Sequence, residues 1–405
     1  MRIKSKGSPT LLSLNGGSSS VKFALFEHKK SLVKILSGGI EKIGGSGAHF
    51  FVSGLNQKAL ISETLSAADS KAAIDFLFSW FELNLSKVNL TAIGHRMVTG
   101  GLKYHAPQLI TGEMIANLQE LIPFDPLHLP TEIYLIEKCK KTFSKIQQYV
   151  CFDTAFHHNL PRVAKLLPIP RRFEKEGIMK YGFHGLSYEF LMEALTEQAG
   201  PEESKGRVIL AHLGSGASLA AVKNGGPIDT SMSFTPTGGI PMGTRSGDLD
   251  PGIIRYLTIS ENLGAEKVNE LLNLKSGLLG ISETSSDLRE LLAIENNDIR
   301  ASEAIALFCY QVKKWIGGYA AILGGIDTLV FSGGIGENSA IIRSRICEGL
   351  NFLNIEIDPS KNASNKFLIS TPASLTKVRV IRTDEELAIA NTVCRIIGLS
   401  LITYS

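Results

Sequence analysis

Two stretches of the chain show the same succession of apolar runs around a turn of small residues. Leu11–Phe26 (LLSLNGGSSSVKFALF) and Val208–Val222 (VILAHLGSGASLAAV) each predict a strand, a Gly/Ser turn and a second strand. Apolar runs bounded by glycine and serine are typical of β-hairpins. A third element, Thr328–Asn338, predicts a strand that ends in a glycine-rich loop.

Between these strands, apolar residues recur at helical spacing. The pattern predicts helices over Ala67–Asn84 and Ser187–Gln198, a long one around Ala301–Leu323, and a last one over Asp384–Ile397. Strands that alternate with helices predict an α/β protein. Because the hairpin recurs about 200 residues later, the sequence indicates a duplicated α/β unit.

The domain boundary is not marked by a low-complexity linker. The second hairpin needs structure that leads into it, so we place the boundary near Asp153. Residues 1–153 are then the N-terminal domain, which we expect the C-terminal helix 385–405 to join. Residues 154–384 are the C-terminal domain.

Composition and charge exclude several classes of protein. Of the 405 residues, 20% are charged, and the formal net charge is +3, which gives no reason to expect nucleic acid or a membrane as a partner. No apolar stretch is long enough to cross a bilayer, and no signal-peptide core follows the charged N-terminus. The five scattered cysteines form no CxxC pair, which favours reduced thiols in the cytoplasm.

Three glycine-rich segments could bind phosphate, because missing side chains let backbone N–H groups converge on an anion. They are Asn15–Ser20, which Lys22 follows with a positive charge, Gly214–Ser218 and Gly333–Asn338. Taken singly, such a segment is more often only a turn. Three of them in one chain indicate phosphate binding.

These segments match neither of the two commonest phosphate-binding motifs. A Walker loop has glycine directly before its lysine, whereas Val21 precedes Lys22. The dinucleotide fingerprint needs a third glycine after Gly334 and Gly336, and the chain has none there. The segments fit the hairpin-based phosphate sites of actin-like and sugar-kinase-like ATPases.

Motifs along nearly the whole chain resemble the acetate kinase family. They are LNGGSSSVKF (Leu14–Phe23), GHRMVTGG (Gly94–Gly101), DPLHLP (Asp125–Pro130), FDTAFH (Phe152–His157), YGFHGLS (Tyr181–Ser187), HLGSGAS (His212–Ser218), DTSMSFTPTGGIPMGTRSGDLDPG (Asp229–Gly252), FSGGIGENS (Phe331–Ser339) and TDEE (Thr383–Glu386). The resemblance implies a duplicated actin-like (ribonuclease H-like) ATPase fold, with two domains and an active-site cleft between them. It implies transfer of a phosphoryl group from ATP to acetate.

The resemblance assigns the charged groups of the site. Arg96 binds the acid and Arg245 stabilises the transition state, because a guanidinium binds carboxylate or phosphate through two parallel hydrogen bonds. His184 lies at the transferring phosphoryl group and His128 near the acid, with Lys22 on the substrate side. Outside these motifs, the arginines would be interpreted as surface ion pairs and His184 as a core residue.

Asp153 has two possible roles, as an acid/base or as a group that orients arginine or metal. A carboxylate acceptor is already anionic and needs no base, so we favour the orienting role. The resemblance implies Mg²⁺ (or Mn²⁺) bound by Glu385 with Asn15, because magnesium takes oxygen ligands. The alternative for Glu385 is an acid at a helix N-terminus.

The resemblance also names the residues around the two substrates. Val98, Leu127, Phe183 and Pro236 line the acid pocket, where one methylene is worth only about 1–3 kcal/mol, so acetate and propionate could both be used. ATP and ADP are expected against the C-terminal domain, and we expect a homodimer. The nucleotide-binding residues are His212, Gly214, Ser215, Gly216, Asp287, Leu288, Arg289, Gly334, Ile335, Gly336, Glu337 and Asn338.

Four positions depart from the family pattern. Ser215 and Leu129 replace asparagine, Thr99 replaces histidine, and Gly238 replaces an acidic residue. Ser215 bears on affinity for ATP, and Gly238 bears on which acid is preferred. None removes a group that we assign to phosphoryl transfer.

Three alternatives remain beside an acetate kinase. One is a kinase for propionate or a longer acid such as butyrate. Another uses pyrophosphate as donor, against which the intact Gly334–Asn338 segment argues. The third is a non-catalytic nucleotide-binding protein, which predicts the loss of Arg96, Arg245, His184 or Glu385; all four are present.

Overall fold

The computed structural model describes residues 7–17, 20–44, 47–55, 58–67 and 69–399. Ser18 and Ser19 of the first glycine-rich segment, and residues 400–405 of the last predicted helix, lie outside these ranges. The chain divides into two compact units. Unit 1 comprises Met1–Ala155 and Asp384–Ser405, and unit 2 comprises Phe156–Thr383.

Unit 1 contains an eight-stranded sheet in its described residues, with the order β5-β4-β3-β2-β1-β6-β8-β7. Strands β6 and β8 run parallel to β1, and the other pairings are antiparallel. The strands are β1 (Thr10–Gly16), β2 (Val21–His28), β3 (Leu32–Glu41), β4 (Ala48–Gly54), β5 (Ala59–Leu65), β6 (Leu90–Met97), β7 (Gln108–Leu109) and β8 (Gln147–Phe152). The helices are α1 (Ser70–Leu85), α2 (Gly112–Glu120), α3 (Leu129–Thr142) and, at the end of the chain, α16 (Glu385–Ile396).

Helices cover both faces of the unit 1 sheet. Because the side chains of a strand alternate between its two faces, neighbouring residues of β2 contact different helices. Phe23 and Leu25 of β2 pack in the cluster that contains α1 and part of α3. Ala24 and Phe26, on the opposite face, pack against α16. Both faces of β2 are therefore buried, which explains its nearly continuous apolar sequence.

Unit 2 contains a five-stranded sheet in its described residues, with the order β11-β10-β9-β12-β13. Strands β9, β12 and β13 are parallel, whereas β9, β10 and β11 form an antiparallel meander. The strands are β9 (Arg207–Leu213), β10 (Ala217–Lys223), β11 (Gly226–Thr230), β12 (Thr328–Ser332) and β13 (Lys377–Val380).

Several helices of unit 2 pack on this sheet. Helix α6 packs its Tyr188, Leu191 and Leu195 on β9, β10 and β12, and α12 contacts β9 and β10. The helices are α4 (Arg162–Lys165), α5 (Arg172–Lys175), α6 (Gly185–Ala199), α7 (Pro201–Ser204), α8 (Pro251–Ile259), α9 (Ala265–Leu274), α10 (Gly277–Ser282), α11 (Leu288–Ile294), α12 (Ile299–Leu323), α13 (Gly333–Asn338), α14 (Ala340–Cys347) and α15 (Pro359–Ala363). Short 3₁₀ turns cover Phe156–Asn159 and Asn351–Leu353.

The two sheets share one strand plan, which confirms the predicted duplication. In unit 1 the series β3-β2-β1-β6-β8 has three antiparallel strands followed by two that are parallel to β1. In unit 2 the series β11-β10-β9-β12-β13 repeats the same order and directions. Both predicted hairpins, β1–β2 and β9–β10, are the central pairs of these series.

The predicted helices are confirmed as α1, α6, α12 and α16, with ends that differ by a few residues. One element differs from expectation: the glycine-rich segment after β12 is the short helix α13 and not a loop. Gly333 begins this helix at a φ of +75°, and an added Cβ would lie 2.6 Å from the Leu213 carbonyl oxygen. Among the described residues, no helix is both long and apolar enough to cross a bilayer.

Gly94→Ala tests the packing of α16 on the sheet of unit 1. A Cβ at Gly94 would lie 2.4 Å from Ile389 Cγ2 and 2.9 Å from Val393 Cγ2. We expect a loss of about 1–3 kcal/mol of unfolding free energy, because overpacking displaces neighbouring side chains. Urea unfolding followed by circular dichroism measures the loss.

Gly112→Ala is the matched control. Gly112 is the first residue of α2, and nothing lies within 4 Å of an added Cβ. This variant should be as stable as the parent or slightly more so. Equal midpoints for the two variants would show that α16 does not pack tightly on β6.

Candidate active site

Arg96, near the end of β6, is held between two buried carboxylates. Its Nε and Nη2 donate to Asp153 Oδ2 over 3.0 and 2.6 Å, and its Nη1 donates to Glu132 Oε1 over 2.8 Å and to the Gly16 carbonyl oxygen over 3.0 Å. Both carboxylate side chains are 1% exposed, and that of Arg96 is 12% exposed. The predicted residues Arg96 and Asp153 are thus in direct contact.

Burial alone would lower the pKa of the Arg96 guanidinium, but the negative charges of Asp153, Glu132 and Glu385 outweigh it and raise that pKa. Asp153 accepts two hydrogen bonds from one edge of the guanidinium, the edge formed by Nε and Nη2. Because two N–H groups on one edge of the guanidinium donate to the single oxygen Asp153 Oδ2, this contact fixes the plane of the guanidinium, as an orienting role for Asp153 requires.

Glu132 is a residue of this site that our sequence analysis missed. Its Oε2 accepts a hydrogen bond of 2.9 Å from the Val98 backbone N–H, so it joins the predicted acid pocket to Arg96. Burial raises the pKa of Glu132 to about 8, although Arg96 and the Val98 N–H lower it. One signal was available, because Glu132 follows His128 by one helical turn at the start of α3.

His128, one of the residues predicted near the acid, is paired with Asp125. Its Nδ1 lies 2.9 Å from Asp125 Oδ1, and both residues are buried. An ionised carboxylate only accepts hydrogen bonds, so Nδ1 carries a proton. Burial opposes ionisation of Asp125, but hydrogen bonds from His128 lower the pKa of Asp125 overall.

The two unit 1 residues predicted to line the acid pocket differ in exposure: Val98 is buried and Leu127 is half-buried.

The predicted metal ligands lie together where β1 meets the start of α16. Asn15 Nδ2 donates to Glu385 Oε2 over 2.8 Å and to Glu386 Oε1 over 3.4 Å. Burial, followed by the charges of Glu385 and Asp384, raises the pKa of Glu386. No group of three or more His, Cys, Asp or Glu in the described ranges is arranged to hold a metal ion. Two carboxylates beside an amide are nevertheless a donor set that fits Mg²⁺, which completes its shell with water and phosphates.

Lys22 and two of the departures from the family pattern are also in unit 1. Lys22 pairs with Asn15 across the β1–β2 hairpin and lies 3.5 Å from Glu41 in an exposed ion pair. Thr99 accepts a hydrogen bond from the Gly101 N–H, and Leu129 is a buried apolar residue. The two departures therefore serve local structure in this unit.

In unit 2, His184, Arg245 and Gly216 come together. An added Cβ on Gly216 would lie 3.3 Å from His184 Nε2 and 3.7 Å from Arg245 Nη1. The ring of His184 is 4.6 Å from that of His212, and Arg245 Nη1 donates to the Pro236 carbonyl oxygen over 3.1 Å. Two side-chain nitrogens, His184 Nε2 and the guanidinium donor Arg245 Nη1, thus flank a backbone position that has no side chain, which leaves room for an anion beside a positive charge.

The conformation of His184 is unusual, because it has a φ of +59° at the residue that precedes α6. Only a small share of non-glycine residues adopt this left-handed region. Its neighbour Phe183 is buried, and the Phe183 carbonyl oxygen bonds to His157 Nε2 over 3.0 Å. Backbone strain at a site is stable only when surrounding contacts fix it.

The nucleotide segments predicted on unit 2 are neighbours. An added Cβ on Gly214 would lie 3.9 Å from the Gly334 backbone nitrogen, and open space surrounds the Cβ position of Gly334. Asn338 Nδ2 donates to the Gly334 carbonyl oxygen. Ser215 is exposed, and its carbonyl oxygen accepts a hydrogen bond from the Gly243 N–H.

Other residues predicted to bind nucleotide make internal contacts. Glu337 Oε1 accepts hydrogen bonds of 3.0 Å from the N–H groups of Gly333 and Thr383, so its carboxylate fixes the start of α13. Gly336 is buried and Ile335 is half-buried. Leu288 is 3% exposed, and Asp287 accepts from the backbone and guanidinium of Arg289 at the start of α11.

The last departure, Gly238, leaves limited room for a side chain. An added Cβ there would lie 3.3 Å from Ser233 Cβ and 3.5 Å from Asp248 Oδ1. Asp248 Oδ1 also accepts a hydrogen bond from the Gly239 N–H. An acidic side chain at position 238 would meet the carboxylate of Asp248, so glycine suits this environment.

Comparison with known proteins gives consistent results. A sequence model of the Acetokinase family matches residues 10–391. The chain is 42% identical to an acetate kinase of Rhodopseudomonas palustris, over 96% of this chain and 98% of that protein, and 40% identical to an acetate kinase of Methylocella silvestris, over 94% and 96%.

Two solved structures are also similar. The acetate kinase of Porphyromonas gingivalis has a TM-score of 0.85 at 38% identity, over 96% of this chain and all of that one. A propionate kinase of Francisella tularensis has a TM-score of 0.87 at 35% identity, over 95% and 98%.

Glu132→Gln tests the protonation of the buried cluster. The folded protein holds the pKa of Glu132 at about 8, above the ordinary 4.5. A raised pKa contributes stability at low pH that is lost as the pH rises through this window. The advantage of the parent over Glu132→Gln should therefore shrink between pH 5 and pH 9, by at most about 1.4 kcal/mol per pH unit. Urea unfolding at several pH values measures this slope.

Glu113→Gln serves as the control, because Glu113 is exposed and a hydrogen bond from Lys103 lowers its pKa. The difference between the parent and this variant should stay constant over the same range. A constant difference for Glu132→Gln as well would mean that Glu132 is ionised throughout.

Proposed function

The chain belongs to the acetokinase family, and we propose that it transfers the terminal phosphoryl group of ATP to acetate, reversibly, to give acetyl phosphate and ADP. An acetate oxygen attacks the γ-phosphorus while the bond from that phosphorus to the bridging oxygen breaks, and the electron pair of that bond leaves with ADP. The observation that carries the proposal is the pair of side-chain nitrogens, His184 Nε2 and Arg245 Nη1, beside the backbone of Gly216, which has no side chain.

In this proposal, unit 2 supplies the groups that act on the phosphoryl group. Transfer leaves little covalent chemistry to the protein, which must position the reactants and neutralise charge. Arg245 and His184 donate to the equatorial oxygens of the moving group. The segments Gly214–Gly216 and Gly334–Asn338, together with His212 and Asp287–Arg289, bind the nucleotide.

Unit 1 supplies the groups that act on the acid. Arg96 provides the positive charge that attracts acetate, and its contacts with Asp153 and Glu132 support this role because they fix the guanidinium. Asp153 therefore orients Arg96 and is not an acid/base. We assign His128, Val98 and Leu127 to the acid pocket, and Lys22 to the substrate side; Phe183 and Pro236 of unit 2 keep their predicted pocket role.

Mg²⁺, or Mn²⁺ in its place, would be held by Glu385 and Asn15, and we add Glu386 because it shares the Asn15 amide. When bound, the ion supplies positive charge to the phosphates of ATP. Asn15 donates to both carboxylates and so keeps them together at the end of β1.

A homodimer is supported by an apolar helix on the surface of unit 2. None of the residues of α8 (PGIIRYLTI) is buried, and Ile253, Tyr256 and Ile259 are 39%, 55% and 62% exposed. Clustered apolar side chains on a surface are normally covered by a partner. A second copy of the chain would cover α8.

We also propose that the protein is located in the cytoplasm and that its chain forms two domains. All five cysteines are buried and none forms a disulfide, as expected in a reducing compartment. The compact units Met1–Ala155 with Asp384–Ser405, and Phe156–Thr383, support a division into domains close to the predicted boundary.

Trapping the acyl phosphate with hydroxylamine tests the reaction and its substrates. We expect hydroxamate from acetate with ATP, and also from propionate, because one methylene changes binding by only about 1–3 kcal/mol. Similarity to a propionate kinase makes propionate the second candidate acid. The assay compares acetate, propionate and butyrate as acceptors, and ATP, GTP and pyrophosphate as donors.

Absence of hydroxamate with every acid would overturn the kinase proposal. Product with butyrate alone would replace acetate by a longer acid. Product with pyrophosphate but not ATP would remove the nucleotide role of the Gly334–Asn338 segment.

A further inference from the structure

His184 ends a chain of buried hydroxyl groups in unit 2. Its Nδ1 lies 2.9 Å from Ser218 Oγ, and the Tyr188 hydroxyl lies 2.5 Å from the same oxygen. Ser218 is the second residue of β10 and pairs with His212 across the hairpin. Tyr188 follows His184 by one turn of α6. Both Tyr188 and Ser218 are 0% exposed.

The direction of this chain follows from counting donors and acceptors. Within the described part of the protein, the Tyr188 hydroxyl reaches one polar partner, which is Ser218 Oγ. A buried hydroxyl that cannot donate a hydrogen bond destabilises the fold, so the Tyr188 O–H donates to Ser218. Burial also raises the pKa of Tyr188, which keeps that proton in place.

Ser218 Oγ then has one proton of its own to donate. Among the described residues, this hydroxyl contacts the Tyr188 hydroxyl, which donates to it, and His184 Nδ1. The Ser218 O–H therefore points at Nδ1, which must accept. A neutral imidazole has one donor and one acceptor nitrogen, so the proton of His184 lies on Nε2.

Nε2 is the nitrogen that faces the candidate phosphoryl site. It lies beside Gly216 together with Arg245 Nη1. A proton on Nε2 makes it a donor toward an anionic oxygen, whereas the other tautomer would present a lone pair and repel it. The hydroxyl chain thus determines whether His184 Nε2 attracts or repels an anionic oxygen at this position.

We propose that Tyr188 and Ser218 are positioning residues that hold His184 as its Nε2–H tautomer, so that it donates to the transferring phosphoryl group. The part that concerns the tautomer stands on the hydrogen bonds alone, and the part that concerns transfer rests on the proposed function. Neither Tyr188 nor Ser218 touches the reacting atoms in this account.

Histidine-labelled ¹⁵N NMR of the full chain tests the tautomer. The chain has nine histidines, and the His184 signals are assigned as those that His184→Asn removes. We expect a protonated Nε2 and an unprotonated Nδ1 in the parent, and a mixture of tautomers in Tyr188→Phe. A proton on Nδ1 in the parent, or an unchanged Nε2–H tautomer in Tyr188→Phe, would overturn the proposal.

Kinetics of acetyl phosphate formation test the consequence. Tyr188→Phe and Ser218→Ala should each lower kcat by about 10- to 100-fold with little change in KM for ATP, because a donor is misplaced while the binding contacts stay. The double variant should resemble Ser218→Ala alone, since Tyr188 acts through Ser218. Effects on kcat that multiply would mean that the two residues act independently, and the relay would be wrong.

Tyr319→Phe is the matched control. Tyr319 is also buried in unit 2, but its hydroxyl has no hydrogen-bond partner among the described residues. It should leave kcat and the His184 signals unchanged, and an equal loss of kcat in this variant would reduce the effect to packing. A parent that forms no acyl phosphate would defeat the proposed function, whereas the NMR result would still decide the tautomer.

Discussion

A buried positive charge organises unit 1. Arg96 can remain buried because Asp153 and Glu132 accept its hydrogen bonds and the carboxylate of Asp153 balances its charge. Those partners come from the end of β8 and the first turn of α3, and Gly16 adds a carbonyl oxygen from the end of β1. Removing any one partner leaves a buried charge that is poorly compensated, which is costly. The ends of three elements are therefore fixed relative to one guanidinium.

In unit 2 the candidate site is positioned by hydrogen bonds around His184. His184 has a left-handed backbone conformation, and its ring contacts the Ser218 hydroxyl, which in turn contacts the Tyr188 hydroxyl. The ring lies beside Gly216, which leaves space for a ligand. A network of this kind is stable only when each member finds its partner. Gly16 ends β1 and Gly216 lies between β9 and β10, so each unit has a glycine of the site at the turn of its central hairpin. The duplicated fold thus supplies two frameworks for different chemistry.

Much of this was predictable from the sequence. The spacing of apolar residues and the positions of glycines predict the two hairpins and the helices. Motifs such as MGTRSGDLDPG indicate the family, and the family pattern identifies Arg96, Arg245 and His184 as candidate site residues. Glu132 was missed, because its role depends on β6 lying beside α3 and its one sequence signal was a position one helical turn after His128. The roles of Tyr188 and Ser218 in orienting His184 could likewise not be predicted, since the direction of a hydrogen bond depends on which other partners each hydroxyl has in the folded protein. Glu337 matched a nucleotide motif, yet its carboxylate binds backbone.

Replacement of Arg245 by alanine tests the proposed transfer most directly. If Arg245 stabilises charge that develops only in the transition state, kcat should fall by about 10²- to 10³-fold while KM for ATP changes little. Arg171→Ala, at an exposed arginine outside the site, should leave both constants unchanged. Turnover that survives in Arg245→Ala, or a loss confined to KM, would contradict the account.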